Sequence, residues 1–264
     1  MNPVYFVGAG PGDPDLITVK GLRLLEEADL LVYTGSLVNP DLVARSRAVE
    51  KLDSHGMRHA DLIALLETAI RSGKRVVRLH SGDPALFGAI VEQILALEDR
   101  GIPSVVVPGV SSLFAAAAAL GTQLTLKGVS ESLIVTRPAG ETLEEDRIPE
   151  LSSLGETLVI FLGGDRISGV VGRLRCPPET PAAVIYHASW ADEKVVRGTV
   201  ADIAEKAEEA GIRRTALVIV GRVVEPRTSG SRRSHLYPCQ EPAPSPSPVS
   251  RERRRRSGTT WTQT

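Results

Sequence analysis

Aromatic residues and cysteines are scarce in this chain. Aromatic side chains make up only 4% of the 264 residues, so the core must consist mainly of valine, leucine, isoleucine and alanine. The chain contains two cysteines, Cys176 and Cys239, which lie far apart and form no metal-type spacing. We therefore expect a protein without a bound metal.

Long apolar runs are also missing. No run approaches the roughly 18 residues that a membrane-spanning helix needs. The N-terminus shows no basic stretch followed by an apolar core, which is the pattern of a secretory signal. The overall composition, 42% hydrophobic and 24% charged, is that of an ordinary globular protein. We expect a cytoplasmic protein that makes no contact with a membrane.

The chain has no strong excess of charge of either sign, since its net charge is only −1. The charges are nevertheless unevenly distributed along the sequence. Segment 227–264 holds eight arginines against two glutamates, and four prolines alternate with small residues between Pro242 and Pro248. This composition predicts a disordered tail. It could contact a nucleic acid or an anionic surface, but we favour a solvated appendage and expect no nucleic-acid partner.

Short β-branched runs alternate with amphipathic, helix-forming segments. We predict strands at 4–7, 30–33, 48–52, 76–79, 104–107, 132–136, 157–162, 182–187, 194–198 and 216–220. We predict helices at 15–28, after Pro40, and at 59–72, 85–100, 111–120, 165–174 and 200–210. The alternation predicts an α/β fold with mainly parallel sheets, although 194–198 should pair antiparallel. We divide the chain into 1–122, 123–226 and the tail.

Small, turn-forming residues follow three of these strands. They are Gly8-Ala9-Gly10-Pro11-Gly12-Asp13, Gly82-Asp83-Pro84 and Pro108-Gly109. Turns of this kind lie at the carboxyl ends of parallel strands, where ligands bind in open α/β sheets. Glycine allows a ligand to come close to the backbone. Any one of these turns is an ordinary connection, but the three together predict a small-molecule cleft.

The first turn does not match a dinucleotide or phosphate site. Asp13 stands where a third small residue belongs in the dinucleotide fingerprint, and Tyr33-Thr34-Gly35-Ser36 offers no acidic residue for a ribose. No Gly-Lys-Ser/Thr follows either, which argues against a P-loop. The chain also lacks the Gly-x-Ser-x-Gly elbow of a serine hydrolase.

Four side chains near the predicted strand ends are candidates for direct roles. His80 and His187 each follow a strand and could face the cleft, although such a histidine is more often a structural hydrogen-bonding group. Asp83 could act as a base or could cap the helix predicted to begin near Ala85, and we favour the cap. Arg137 could meet an anionic group of a substrate or form a surface salt bridge.

Three ordered motifs resemble the tetrapyrrole (corrin/porphyrin) methylases. They are the segments 8–21 (GAGPGDPDLITVKG), 80–89 (HSGDPALFGA) and 107–112 (VPGVSS). The resemblance extends from about Val4 to Val224. It implies two αβα domains with an interdomain cleft, a homodimer, and S-adenosylmethionine as the methyl donor. With segments 33–38 and 188–194, it implies methylation of precorrin-4, or of its cobalt complex, at C-11 in cobalamin biosynthesis.

The resemblance also implies which residues contact each ligand. The residues that match cofactor contacts of the family are Pro11, Ser81, Gly82, Asp83, Phe87, Ser111, Ser112, Leu162, Ala188 and Ala216. The first loop would face the macrocycle, which makes Gly10, Gly12 and Asp13 candidate substrate residues together with Arg137. The sulfonium already activates the methyl group, so the chemistry requires mainly alignment and we name no catalytic residue.

The chain departs from related methylases at several positions. Gly35, Ser81 and the segment 54–57 (SHGM) replace residues typical of uroporphyrinogen-III methyltransferases, which argues against that activity. Glu141-Thr142-Leu143 and Gly163-Gly164 also differ from the pattern expected for the precorrin-4 enzymes. Two alternatives stay open: a methylase of the same fold that acts on another precorrin, uroporphyrinogen III, RNA or protein, and a nucleotide-binding module without catalysis.

Overall fold

The computed structural model describes residues 1–140, 143–162, 167–213 and 215–225. Within these residues the chain forms two five-stranded sheets. The strands are β1 (Val4–Gly8), β2 (Leu30–Tyr33), β3 (Glu50–Asp53), β4 (Val76–His80), β5 (Ser104–Val107), β6 (Leu133–Thr136), β7 (Thr157–Leu162), β8 (Pro181–Tyr186), β9 (Lys194–Thr199) and β10 (Ala216–Val220). The predicted tail at 227–264 and Gly163-Gly164 lie outside the described residues.

Eight α-helices connect these strands within the described part of the chain. They are α1 (Val19–Glu26), α2 (Pro40–Arg45), α3 (His59–Arg71), α4 (Val91–Glu98), α5 (Ser112–Leu120), α6 (Ile148–Ser152), α7 (Ile167–Val171) and α8 (Ile203–Glu209). None of these described helices has the length and apolar character that crossing a membrane requires.

The first sheet has the strand order β3-β2-β4-β1-β5, and every neighbouring pair is parallel. Each connection between consecutive strands contains a helix, as parallel pairing requires. The central strands β1 and β4 are almost entirely buried because helices cover both faces. The carboxyl ends of β1, β4 and β5 therefore open at the same edge of the sheet. The predicted α/β class is confirmed.

The second sheet, with the order β6-β7-β10-β8-β9, departs from the expected parallel arrangement. Only β6 and β7 pair in parallel, whereas β10 is antiparallel to both β7 and β8. Strands β7 and β8, which α7 connects, run in the same direction. They are not neighbours, because β10 lies between them and runs in the opposite direction. The alternation of strands and helices cannot reveal such an insertion. The predicted antiparallel pairing of β9 is confirmed, with β8 as its partner.

Two predicted helices begin four or more residues later than expected, at Val19 in place of 15 and at Val91 in place of 85. The helix expected at 15–28 is divided, because Asp13 caps a 3-10 turn at Pro14–Leu16 and the Thr18 hydroxyl then accepts a hydrogen bond from Gly21 N at the start of α1. The helix expected at 85–100 begins only at α4. Phe87 (φ 57°) and Ala89 (φ 49°) have left-handed backbone conformations that a right-handed helix cannot contain.

Helix α5 packs against the second sheet although it follows the last strand of the first. Leu113 and Ala116 lie in one buried cluster with Val159 of β7 and Ile219 of β10. The other face of the second sheet buries a separate cluster that includes Ile203 of α8. The two sheets are thus joined by a helix that belongs to the first half of the chain in sequence.

Candidate active site

Three loops meet at the carboxyl edge of the first sheet: a first loop (residues 8–14), a second loop (81–90) and a third loop (108–111). Gly10 and Gly82 exchange backbone hydrogen bonds, with N–O distances of 3.2 and 2.8 Å. A Cβ atom at Gly109 would overlap the carbonyl oxygen of Gly82, and one at Gly8 would lie 2.5 Å from Gly109 Cα. The loops pack backbone against backbone, which only glycine permits.

Asp83 ties the second loop to the third. Its Oδ1 accepts a hydrogen bond from Ala85 N at 2.8 Å, and its Oδ2 accepts one from Gly109 N at 2.9 Å. Of the two roles considered for Asp83, the structure supports the cap, although the capped segment is a turn rather than a helix. Because both oxygens bind backbone N–H groups, Asp83 acts mainly as a positioning group.

A cleft of about 300 Å³ lies between these loops and the second sheet. This volume is at the lower end of the range typical of small-molecule sites. All ten residues matched to cofactor contacts line the cleft: Pro11, Ser81, Gly82, Asp83, Phe87, Ser111, Ser112, Leu162, Ala188 and Ala216. Seven of them follow strands of the first sheet, in its loops and at the start of α5. The other three come from the second half: Leu162 ends β7, Ala188 follows β8 and Ala216 begins β10.

Aromatic and cationic side chains from both halves meet at one side of the cleft. Phe87 of the second loop lies edge-on to Phe161 of β7, with 5.3 Å between the ring centroids. The Arg137 guanidinium lies over the Phe87 ring, 5.4 Å from its centroid, which is within cation–π range. Arg137 lines the cleft, as its candidate role in substrate binding requires. Phe87 remains 45% exposed, so a flat apolar surface is open to a ligand there.

A segment of the second half, which we name the Trp190 loop (residues 187–193), holds the first loop in place. Trp190 Nε1 donates a hydrogen bond to Pro11 O at 3.1 Å, and Asp13 N donates one to Ser189 Oγ at 3.0 Å. A Cβ atom at Gly12 would overlap the Trp190 indole. Three of the four candidate substrate residues, Gly10, Gly12 and Asp13, therefore lie beside the cleft and are not part of its wall.

His187 begins the Trp190 loop and lines the cleft. Its backbone is left-handed (φ 48°), and its ring stacks on Tyr186 at a centroid distance of 3.7 Å. His187 Nδ1 lies 2.9 Å from Asp192 Oδ1. The hydrogen bond from His187 lowers the pKa of Asp192, so this carboxyl group is ionised at neutral pH.

The family model described as tetrapyrrole (corrin/porphyrin) methylases matches residues 3–204 of this chain. The chain belongs to this family. The predicted resemblance is confirmed, and the cleft between the two sheets is the candidate active site of a methylase.

Relatives within the family cover nearly the full length of the chain. A cobalt-precorrin-4 C(11)-methyltransferase of Methanocaldococcus jannaschii is 50% identical over 85% of this chain and 89% of its own length. A precorrin-4 C(11)-methyltransferase of Pseudomonas aeruginosa is 45% identical over 89% of this chain and 94% of its own length.

Solved structures of the family have the same fold. Cobalt precorrin-4 methyltransferase, a cobalamin biosynthetic enzyme, superimposes with a TM-score of 0.79 at 40% identity and covers 85% of this chain and 96% of its own. The uroporphyrin-III C-methyl transferase of Thermus thermophilus, complexed with S-adenyl homocysteine, superimposes with a TM-score of 0.73 at 34% identity. The match covers 84% of this chain and 99% of that chain.

His80, the other candidate histidine, does not reach the cleft of this methylase. Its side chain is 4% exposed and lies 5.9 Å from the Phe6 ring, centroid to centroid. Burial, together with the nearby charge of Arg78, lowers the pKa of His80 to about 3. Burial also lowers the pKa of Arg78 to about 10, which still leaves the guanidinium charged at neutral pH. His80 is therefore a neutral core residue.

Several cleft residues carry no signal in the sequence. Ile185, Thr215 and Leu217 line the cleft but belong to no motif, and their residue types are as common in the core as at a site. Among them, Thr215 has a left-handed backbone (φ 59°), which only the structure reveals. Trp190 was present in a matched segment, and as one of two tryptophans it could have been singled out.

Proposed function

We propose that this protein transfers a methyl group from S-adenosylmethionine to C-11 of precorrin-4, free or as its cobalt complex, in cobalamin biosynthesis. The observation that carries the proposal is the similarity to two named relatives. They are C(11)-methyltransferases of cobalt-precorrin-4 and of precorrin-4, and they are 50% and 45% identical over almost their full length. Both names occur at similar identity, so the proposal includes both forms of the substrate.

The cleft suits S-adenosylmethionine as the methyl donor. Gly82 and Ser111 line the cleft, and Ser111 lies at the N-terminus of α5. Gly109 packs behind Gly82, where an added Cβ would overlap the Gly82 carbonyl oxygen. Leu162 and Ala188 are buried apolar residues on the opposite wall. A folded donor with a polar end and an adenine ring requires such a mixed surface. When bound, the donor supplies an electrophilic methyl group.

Arg137 suits the carboxylates of a tetrapyrrole. Among the cleft residues that the structure describes, Arg137 carries the permanent positive charge, whereas Asp83 is negative. An arginine can bind a carboxylate through two hydrogen bonds, which also fixes its direction. The exposed Phe87 ring beside it offers a face on which a macrocycle can pack. The two residues together would orient the ring system toward the cleft.

We extend the proposal to a cytoplasmic homodimer with two domains, 1–122 and 123–226. Exposed apolar side chains support the dimer: Val91 and Leu95 of α4, Val106 of the edge strand β5 and Phe114 of α5 are between 40% and 66% exposed. An apolar surface on adjacent elements is typical of a protein interface. The presence of one sheet in each half supports the division into domains.

The function is tested with methyl-labelled S-adenosylmethionine and four separate acceptors: precorrin-4, cobalt-precorrin-4, precorrin-2 and uroporphyrinogen III. Label at C-11 of either of the first two supports the proposal and decides the form of the substrate. Label only in the last two would refute it while keeping the methylase class. Cofactor binding without label in any acceptor would direct the search to RNA and protein.

A pair of glycine variants links this activity to the cleft. Gly109→Ala places a Cβ against the Gly82 carbonyl oxygen, and such overpacking costs about 1–3 kcal/mol. Because the strained loops form the floor, we expect this variant to lose binding of S-adenosylmethionine. The matched control is Gly169→Ala, where the added Cβ meets no atom within 4 Å beyond its chain neighbours and the backbone of its own helix. Equal binding by both variants would place the donor elsewhere.

A further inference from the structure

The cleft residue His187 and its neighbour Asp192 have the arrangement of a proton acceptor. The His187 ring has two nitrogens, and Nδ1 lies 2.9 and 3.1 Å from the two carboxylate oxygens of Asp192. An ionised carboxylate can only accept a hydrogen bond, so Nδ1 carries the proton in this contact. In the neutral ring the lone pair is then on Nε2. This is the tautomer that a general base of this kind requires.

The ring is held rigidly and remains accessible. Tyr186 stacks on one face with 15° between the ring planes, and Trp190 lies 5.2 Å away. The side chain is 22% exposed and lines the cleft, in contrast to the buried His80. The left-handed backbone at position 187 turns the residue out of the strand direction of β8. The surrounding contacts thus stabilise one orientation of an accessible imidazole.

The proposed reaction must release one proton. The acceptor ring carbon supplies the electron pair of the new C–C bond, and the S–C bond breaks with its pair on sulfur, which becomes a neutral thioether. The positive charge of the sulfonium thereby passes to the methylated tetrapyrrole, which becomes neutral again at that position when it loses a proton. An imidazole that takes this proton becomes an imidazolium, and the adjacent carboxylate of Asp192 stabilises that charge.

We infer that His187, oriented by Asp192, accepts the proton that the tetrapyrrole loses after methyl transfer. This inference rests on the proposed function. His187 would be a catalytic residue, and Asp192 a positioning residue that selects the tautomer. Proton transfer by a positioned side chain contributes typically about 10²- to 10⁴-fold to a rate.

The charged groups around His187 come from several elements. Glu193 accepts a hydrogen bond from Ser189 N within the Trp190 loop, and Lys194 begins β9 close to Asp192. Asp83 and Arg137 are the other charged residues on the described cleft wall. Since Asp83 is engaged by backbone N–H groups, Asp192 is the carboxylate that acts on the imidazole directly.

The kinetic test compares His187→Asn, Asp192→Asn and the control His59→Asn. Asparagine tolerates a left-handed backbone, so His187→Asn should fold, and His59 is exposed at the start of α3. We expect kcat to fall about 100-fold or more in His187→Asn and about tenfold in Asp192→Asn. The Kd of S-adenosylmethionine should stay within twofold. The acid limb of the pH–rate profile should disappear in His187→Asn and persist in the control.

Two further measurements separate a base from a structural residue. Nitrogen chemical shifts of His187 in the ligand-free protein should show a protonated Nδ1, and this preference should be lost in Asp192→Asn. His187→Gly, which suits the left-handed backbone, should regain activity when free imidazole is added. Unchanged kcat and acid limb in His187→Asn, with an active wild type, would overturn this inference alone. A wild type that methylates no acceptor would overturn the proposed function as well.

Discussion

The buried histidine at the end of β4 should make the stability of the fold depend on pH between about 6.5 and about 3. His80 Nε2 is buried without a hydrogen-bond partner among the described residues, and the pKa of His80 is lowered to about 3 by burial and then by the charge of Arg78. In the unfolded chain the pKa returns to about 6.5. Between these values the unfolded chain binds a proton that the folded protein does not.

The sign of the effect follows from this difference. Because the unfolded state binds more protons, the free energy of unfolding must fall as the pH drops below about 6.5, and the loss continues until about pH 3. From pH 7 to pH 5 the expected loss is about 2 kcal/mol. Carboxylates such as Asp53 and Asp192, whose pKa values are also lowered, are protonated in the unfolded chain near pH 4 and contribute little above pH 5.

Urea unfolding at pH 7, 6 and 5 measures this loss in the wild type and in His80→Leu. Leucine retains a buried side chain of similar reach and has no group to protonate, so the variant should lose about 2 kcal/mol less over the same interval. His59→Gln, an exposed substitution, should retain the wild-type dependence. An identical pH dependence in wild type and His80→Leu would refute the argument that His80 is neutral in the folded protein.

Two further predictions concern the walls of the cleft. Trp190→Phe removes the hydrogen bond to Pro11 O, and since such a bond contributes about 1 kcal/mol we expect roughly fivefold weaker binding of S-adenosylmethionine by calorimetry. Unchanged binding would mean that the Trp190 loop does not hold the first loop in its binding position. Arg137→Gln should raise the KM for the tetrapyrrole about tenfold through a lost charge-assisted hydrogen bond. The Kd of S-adenosylmethionine should not change. If that Kd rose while the KM for the tetrapyrrole stayed the same, Arg137 would bind the methyl donor and not the tetrapyrrole.

The strands were predictable where a run of residues with high strand propensity is bounded on both sides by polar or turn-forming residues. The predicted limits of β2 (Leu30–Tyr33), β5 (Ser104–Val107) and β10 (Ala216–Val220) agree with the structure to the residue. Apart from Ser104 and Ala216, which begin β5 and β10, each is a run of β-branched or large apolar residues between polar or turn-forming segments. Local propensity and burial therefore act in the same direction.

The start of α4 was not predictable because tertiary contacts override the local pattern there. Phe87 takes up its left-handed backbone where its ring meets Phe161 of the second half. A Cβ atom at Gly88 would overlap the carbonyl oxygen of Pro84, so the loop folds tightly onto itself. Apolar spacing over 85–100 contains neither contact. A prediction from periodicity alone therefore extends the helix through the loop that forms the cleft wall.

The first loop shows how far a glycine pattern can predict a site. The sequence predicts that a ligand approaches the backbone at Gly12. The absence of a side chain there is indeed required, but the Trp190 indole takes up the space. Asn39 Nδ2 also donates a hydrogen bond to Gly12 O at 2.8 Å, so a third segment closes on the same residue. A glycine in a turn thus predicts that something approaches the backbone closely. Whether a ligand or another part of the chain does so depends on contacts between residues 178 positions apart, which no local pattern contains.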